Sequence, residues 1–84
     1  SQFYAQLDVK FTRDTAMHED EFRRFVGEHD FSIANFSYRY NAGASYLEYR
    51  MVIRTNNAEN VKRLAASLCN AKSVVEFRMF PTGD

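Results

Sequence analysis

The sequence predicts an α+β domain in which four strands and two helices follow the order βαββαβ. Three observations carry this prediction. The chain starts and ends with segments that alternate apolar and polar residues, as strands with one buried face do. Two other segments repeat their apolar residues at helical spacing. Between them, residues 31–55 contain two alternating runs separated by Asn-Ala-Gly-Ala, which predicts a hairpin.

The first strand is predicted in FYAQLDVKFT, residues 3–12. Its alternation has a period of two over the whole segment, so one face is buried and the other is polar. The apolar face carries Phe3, Ala5, Leu7, Val9 and Phe11. The polar face carries Tyr4, Gln6, Asp8, Lys10 and Thr12.

The first helix is predicted in RDTAMHEDEFRRFVGEHD, with Asp14 or Thr15 as its N-cap. The acidic residues 19–21 lie in its first turns, where the helix dipole favours negative charge. The side chains expected to face the sheet recur at helical spacing: Phe22, Phe25, Val26 and His29.

The second and third strands flank the turn. Before it, the apolar parity changes near Ala34–Asn35, which predicts a bulge or a bend. Asn41 and Gly43 tolerate positive φ and suit the hairpin turn. After it, one face of the third strand is predicted to be apolar, with Leu47, Tyr49, Met51 and Ile53.

The second helix is predicted in NNAENVKRLAASLCNA. Asn56 or Asn57 is its expected cap, and Asn56 with Glu59 resembles a capping box. Its apolar stripe is Val61, Leu64, Ala65 and Leu68. In the last strand, Val75, Phe77 and Met79 are expected to face the core, and Val74, Glu76, Arg78 and Phe80 the opposite side. Pro81 ends the pairing because it has no amide donor.

These elements predict one ferredoxin-like domain over residues 1–84, a four-stranded antiparallel sheet with both helices on one face. The chain begins directly in a strand pattern, so we expect a domain taken from a longer protein. No apolar stretch approaches the roughly 20 residues that span a bilayer, so this segment is not expected to insert into a membrane.

Composition argues against several functions. Eleven basic and eleven acidic residues give a net charge of zero, whereas nucleic-acid-binding domains usually have a basic excess. The three glycines form no phosphate loop and no nucleophile stands beside a base, so no enzyme and no cofactor is predicted. His18 and His29 lie too far apart on one helix to share a metal ion. The single Cys69 is expected to pack as a small apolar residue.

The sheet face opposite the helices is the predicted working surface. It is either a solvated face with opposite-charge pairs between strands or an interface, since Tyr and Arg among mixed charges suit a protein partner. A homodimer through this face or through an edge strand is one expectation, and a membrane-protein partner is another. The candidate interface residues are Tyr46, Glu48, Arg50, Arg54, Glu76, Arg78 and Phe80.

The βαββαβ order at this length resembles the ACT-like group of small regulatory domains. The ending VVEFRMFPTGD, residues 74–84, looks like the C-terminal end of bacterial MgtC/SapB-family membrane proteins, where a cytoplasmic ACT-like domain finishes in a Pro-Thr-Gly-Asp-like end. This resemblance implies a soluble, non-catalytic regulatory or interaction domain. Its parent would lie in the bacterial inner membrane, with this domain on the cytoplasmic face, and would be linked to magnesium homeostasis.

A second function follows from the ACT-like resemblance. ACT domains sense small molecules, so this chain would be the sensing domain of a regulatory protein, for a small molecule or for Mg²⁺. The acidic start of the first helix and the loop before it, TRDTAMHED, would then form the binding site. That loop lacks the glycine with which many ACT domains bind an amino acid.

Overall fold

A computed structural model describes residues 2–82 of the chain. The strands and helices are β1 Phe3–Thr12, α1 Glu19–Gly27, β2 Ser32–Asn41, β3 Tyr46–Thr55, α2 Glu59–Asn70 and β4 Val74–Pro81. A short 3-10 helix, Arg13–Thr15, follows β1. The four strands form one antiparallel sheet in the order β2-β3-β1-β4, which confirms the predicted ferredoxin-like fold.

The core lies between the sheet and the two helices. The predicted apolar faces of β1 and β3 are confirmed, since Leu7, Val9 and Ile53 are fully buried. Each helix adds two buried apolar side chains at helical spacing: Phe22 and Val26 from α1, Leu64 and Leu68 from α2. This burial of one face is the main source of the stability of the fold.

An aromatic cluster fills the core under α1. The Tyr49 ring packs on Phe11, Phe22 and Phe36, with ring centroids 5.5, 5.6 and 5.0 Å apart. The tilted and edge-on arrangements suit the quadrupoles of the rings. The Tyr49 hydroxyl donates a hydrogen bond of 2.6 Å to the backbone carbonyl of Met17, so its one polar atom is satisfied.

The predicted irregularity of β2 is confirmed. The register of β2 against β3 shifts between Ala34 and Ser37, and Asn35 has a φ of 56°. Ile33 lies opposite Ile53 before the bulge and Tyr38 opposite Tyr49 after it. The bulge therefore keeps apolar and aromatic residues on the helix side of the sheet despite the change of parity.

The predicted helix caps are partly wrong. α1 begins only at Glu19, and Asp14 and Thr15 lie in the 3-10 turn without capping it. The segment before α1 is held to the β2–β3 turn, because the Arg13 amide donates to the Ser45 carbonyl at 2.9 Å. At α2, the Asn57 side chain accepts the Glu59 amide at 3.0 Å, and no Asn56 capping box forms.

Two further predictions are corrected. In the β2–β3 turn the positive φ belongs to Ser45, at 58°, and not to Asn41 or Gly43. The Asn41 side chain instead accepts the Ala44 amide at 3.1 Å. Cys69 is exposed rather than packed, because the buried stripe of α2 runs through Leu64 and Leu68, and position 69 turns away from it.

The start of β4 also differs from the prediction. The register against β1 shifts at Lys10 and Phe11, so Val74 lies opposite Phe11 and packs against the core. Val75 is left 49% exposed. Beyond this shift the predicted alternation holds, since Phe77 and Met79 contact the core. β4 ends at Pro81 as expected, but pairing with β1 continues one residue further, because the Thr82 amide donates to the Tyr4 carbonyl at 3.2 Å. Gly83 and Asp84 of the matched ending lie outside the described residues.

Candidate functional site

The open face of the sheet, the face that the helices leave uncovered, carries an ordered set of charged side chains. Antiparallel pairing places its side chains in rows that cross the strands. Two of these rows contain most of its charges. The glutamate row is Arg39, Glu48, Lys10 and Glu76, in the order β2-β3-β1-β4. The aspartate row is Ser37, Arg50, Asp8 and Arg78 in the same order.

The sign of the charge alternates along and between these rows. The glutamate row reads plus, minus, plus, minus, and the last three positions of the aspartate row read plus, minus, plus. Opposite charges directly across two strands attract each other by about 0.2–1 kcal/mol per pair. The two rows together form a grid of alternating charge, the charge grid, in which neighbouring charges on adjacent strands attract each other and so stabilise the sheet.

Two ion pairs hold the centre of the grid. The Arg50 Nε lies 3.1 Å from the Asp8 Oδ1, and the Lys10 Nζ lies 3.5 Å from a Glu76 carboxylate oxygen. Gln6 also donates to the Asp8 Oδ1, at 3.0 Å. The Asp8 side chain is only 15% exposed, whereas those of Arg50 and Glu76 are 60% and 66% exposed. The long charged side chains thus stand above a shielded carboxylate and remain available to a partner.

Aromatic rings flank the grid. The Lys10 Nζ lies 5.1 Å from the centre of the Tyr46 ring, and the Arg78 guanidinium lies 4.7 Å from that of Phe80. Both distances suit cation–π attraction. At the far end of the face, the Arg54 Nε donates to the Ser32 hydroxyl at 3.1 Å.

The structure places all seven candidate interface residues on this face. The same face also holds Asp8, Lys10 and Arg39, which complete the grid and were not among the seven. The alternation of the strands is enough to assign these residues to the polar face, but grouping them into rows requires the order of the strands and their register, because a row combines residues from four separate segments. Val74, expected on this face, instead packs on the core side.

In the described part of the chain, the depressions of the open face are shallow. Two of them, of about 250 and 180 Å³, lie over the grid, share Asp8 and Glu48, and are lined mainly by charged side chains. A third, of about 230 Å³, lies toward Tyr4 and Arg54 and is more apolar. These open surfaces differ from the concave, mostly apolar pockets that enclose small molecules. Within residues 2–82, no three His, Cys, Asp or Glu side chains are grouped so that they could hold a metal ion.

At the acidic start of α1, Glu19 is engaged in contacts within the molecule. Glu19 accepts from the Arg23 Nε at 2.7 Å and from the Tyr38 hydroxyl. Burial raises the pKa of the nearby Tyr49 hydroxyl, and the negative charges of Glu19 and Glu21 raise it further. Glu19 therefore serves contacts that fix α1 to β2.

The histidines do not form a site either. The His29 ring bonds the Phe25 carbonyl at 2.8 Å through Nδ1 and the Ser67 hydroxyl at 2.7 Å through Nε2. It thereby links the end of α1 to α2. His18 is exposed just before α1.

No helix within residues 2–82 is long and apolar enough to cross a membrane.

Comparison with known proteins gives fold similarity alone. No family model matches the sequence, and no curated protein is similar to it in sequence. The C-terminal domain of the MgtC protein from Mycobacterium tuberculosis aligns with a TM-score of 0.69 and 14% identity, over 95% of this chain and 87% of that one. The ACT domain of the GTP pyrophosphokinase of Chlorobium tepidum aligns with a TM-score of 0.71 and 15% identity, over 95% and 100%.

Two further structures have the same architecture. An uncharacterized protein from Thermotoga maritima has a TM-score of 0.67 and 15% identity, over 99% of this chain and all of that one. A de novo designed protein has a TM-score of 0.57 and 16% identity, over 100% and 99%. A sequence made without a natural function can adopt this architecture, so the fold does not define a function. The chain thus has the ACT-like ferredoxin-type fold.

Proposed function

We propose that this chain is a non-catalytic regulatory or interaction domain whose working surface is the open face of the sheet. We further propose that it belongs to a bacterial inner-membrane protein similar to the MgtC/SapB family and linked to magnesium homeostasis, with this domain on the cytoplasmic side. The ending of the chain and the fold shared with the MgtC C-terminal domain support this parent.

One observation carries the proposed surface. The helices cover one face of the sheet and bury most of its apolar side chains, while the other face holds an ordered charge grid with aromatic flanks and shallow depressions. Charged and aromatic groups on a nearly flat surface suit a protein partner better than an enclosed small molecule. Such a surface is suited to a regulatory domain that acts by binding another protein.

The test is a set of NMR titrations of the labelled domain that follow every backbone amide. Mg²⁺ and the individual amino acids are added separately at fixed protein concentration. We expect no saturable shift from these ligands. Saturable shifts confined to the start of α1 and residues 12–18 would overturn the proposal in favour of a sensing domain of the ACT type.

The parent is tested independently of the surface. The genomic reading frame that contains this chain should encode several apolar segments of about 20 residues before the β1 sequence. A frame that encodes a water-soluble protein would remove the membrane parent and leave the open face to be tested by itself.

A further inference from the structure

We propose that the partner of the open face is a second copy of this chain. The two copies would stack their open faces as a sandwich around a two-fold axis that runs parallel to the strands, between β3 and β1. This inference rests on the proposed function, in which the open face is the working surface. It follows from the order of the charges across the sheet.

A rotation about this axis reverses the order of the strands and keeps each row in place. β2 of one copy then lies over β4 of the other, and β3 lies over β1. The glutamate row alternates over four positions, so its reversal has the opposite sign at each position. Arg39 faces the partner's Glu76, and Glu48 faces the partner's Lys10. Each contact occurs twice because the interface is isologous.

The aspartate row meets itself in the same way. Arg50 faces the partner's Asp8, and Arg78 faces the neutral hydroxyl of the partner's Ser37. No like charges face each other in either row. The exposed side chains of Arg50 and Glu76 stand above the grid, so they reach across the roughly 10 Å that separates packed sheets.

In the two rows on the side of Phe80 and Tyr4, the contact of Val52 with the partner's Gln6 adds no specific attraction, but two other contacts fit well. Ala34 faces the partner's Phe80, so the smallest side chain of that row lies against the largest. Arg54 faces the partner's Tyr4, a contact that places a guanidinium on an aromatic ring. Aligned sandwiches rotate by about 30°, which moves the edge residues by only about 3–4 Å, within the reach of arginine.

A two-fold axis perpendicular to the strands fits less well. It would also pair opposite charges, because it places the glutamate row over the aspartate row. However, Arg39 would then face the partner's Ser37, which has no charge, and the row of Arg54 would extend beyond the partner's sheet. The strand-parallel axis overlaps every row and leaves no charge of the glutamate row without an opposite partner.

The size of the face sets the expected affinity. From strand spacing and rise, the open face covers on the order of 600 Å² per copy. A standard stable interface buries about 800 Å² per partner. The dimer should therefore be weak, and because its contacts are mostly ionic, it should dissociate as salt is added. A weak dimer of this kind suits a membrane-bound parent protein, because copies of the domain are then already close to one another at the membrane.

The decisive experiment exchanges the two charges at opposite edges of the sheet. Within one chain, Arg39 and Glu76 are separated by three strand spacings, about 14 Å, and cannot contact each other. Dimerisation is measured by sedimentation at low salt for Arg39→Glu, Glu76→Arg and the double variant. We expect each single change to raise the dissociation constant about tenfold, since like charges then face each other. The double variant should recover most of this loss.

A matched control separates this effect from net charge. Lys62→Glu and Glu59→Lys change the charge by the same amounts on α2, where both side chains are at least 71% exposed and away from the open face. They should leave the dissociation constant unchanged. Far-ultraviolet circular dichroism and amide NMR spectra check that every variant is folded.

The outcomes distinguish the inference from the proposed function. A domain that stays monomeric at low salt and high concentration overturns the dimer, and so does a double variant as weak as the two single variants combined. Either result leaves the open face available to a different protein, and the proposed function stands. The proposed function fails instead when the start of α1 binds Mg²⁺ or an amino acid.

Discussion

The two faces of the sheet come from the same strands and have opposite properties. In β1, Leu7 and Val9 are fully buried, while Asp8 and Lys10, which alternate with them, belong to the charge grid. The covered face is uniform, because any apolar residue of suitable size helps to exclude water. The open face is patterned, because charges must match their neighbours across the strands. The stability of the fold therefore depends mainly on the covered face, whereas the charge pattern of the open face can determine which partner binds.

The largest test of this comparison replaces a phenylalanine on each face. Phe11 is fully buried and packs edge-on against Phe22, with ring centroids 5.8 Å apart. Phe11→Ala should lower the free energy of unfolding by about 3–5 kcal/mol, since it removes a core ring and leaves a cavity. The measurement is equilibrium unfolding in urea.

Phe80→Ala is the matched change on the open face. Phe80 is half-buried at the edge strand and contacts the Arg78 guanidinium. Phe80→Ala should lower the free energy of unfolding by about 1 kcal/mol or less, because Phe80 lies outside the core and buries only part of its apolar surface. Equal losses for the two variants would show that the open face contributes to stability as the core does, and would break the comparison.

A smaller effect concerns the one hydroxyl held inside the aromatic cluster. Tyr49→Phe removes the hydrogen bond to Met17 and should cost about 0.5–1.5 kcal/mol near neutral pH. Burial and the acidic start of α1 raise the pKa of Tyr49 above its ordinary value of 10.0. Its neutral form therefore stabilises the fold fully below that value. This contribution is lost as the pH rises through the higher pKa of the folded state.

The expected readout is a pH series of unfolding experiments that extends above pH 10. The difference between the wild type and Tyr49→Phe should shrink as the solution becomes alkaline. Tyr4→Phe is the control on the open face, where the hydroxyl donates to the exposed Gln2 side chain at 2.8 Å. A difference for Tyr49→Phe that stays constant with pH would contradict the buried, neutral role.

The covered face could be predicted from the sequence almost completely. Alternation and helical spacing are local signals, and they identify the buried residues of β1, β3, α1 and α2. The bulge of β2 was also visible, because a change of apolar parity has few other causes. These features depend on residues that are near neighbours in the chain.

The errors share a different origin. Val74 and Val75 exchange faces because of a register shift that pairing with β1 imposes. α1 starts late because its preceding loop is bonded to Ser45 and Tyr49, which are far along the chain. The charge grid likewise combines four segments, so its residues could be assigned to a face but not to rows. Tertiary contacts decide these points, and local patterns do not contain them.

The smallest expected effect is the coupling energy between two charges of the grid within one chain. Asp8 and Arg50 form its most shielded ion pair, with the Asp8 side chain 15% exposed. A double-mutant cycle with Asp8→Ala and Arg50→Ala should give a coupling energy of about 0.2–1 kcal/mol, measured by urea unfolding at low protein concentration. Glu59 and Lys62 on α2 are the comparison pair, with side chains 71% and 80% exposed.

This exposed pair should couple more weakly, because water and salt screen it. Added salt should reduce both values, and that of Asp8 and Arg50 less, since the Gln6 amide and the neighbouring strands shield the carboxylate. Equal coupling in the two pairs would mean that the grid has no more order than an ordinary charged surface. Stronger coupling on the sheet would mean that the open face holds its charges in place before any partner arrives, which lowers the entropy that binding must overcome.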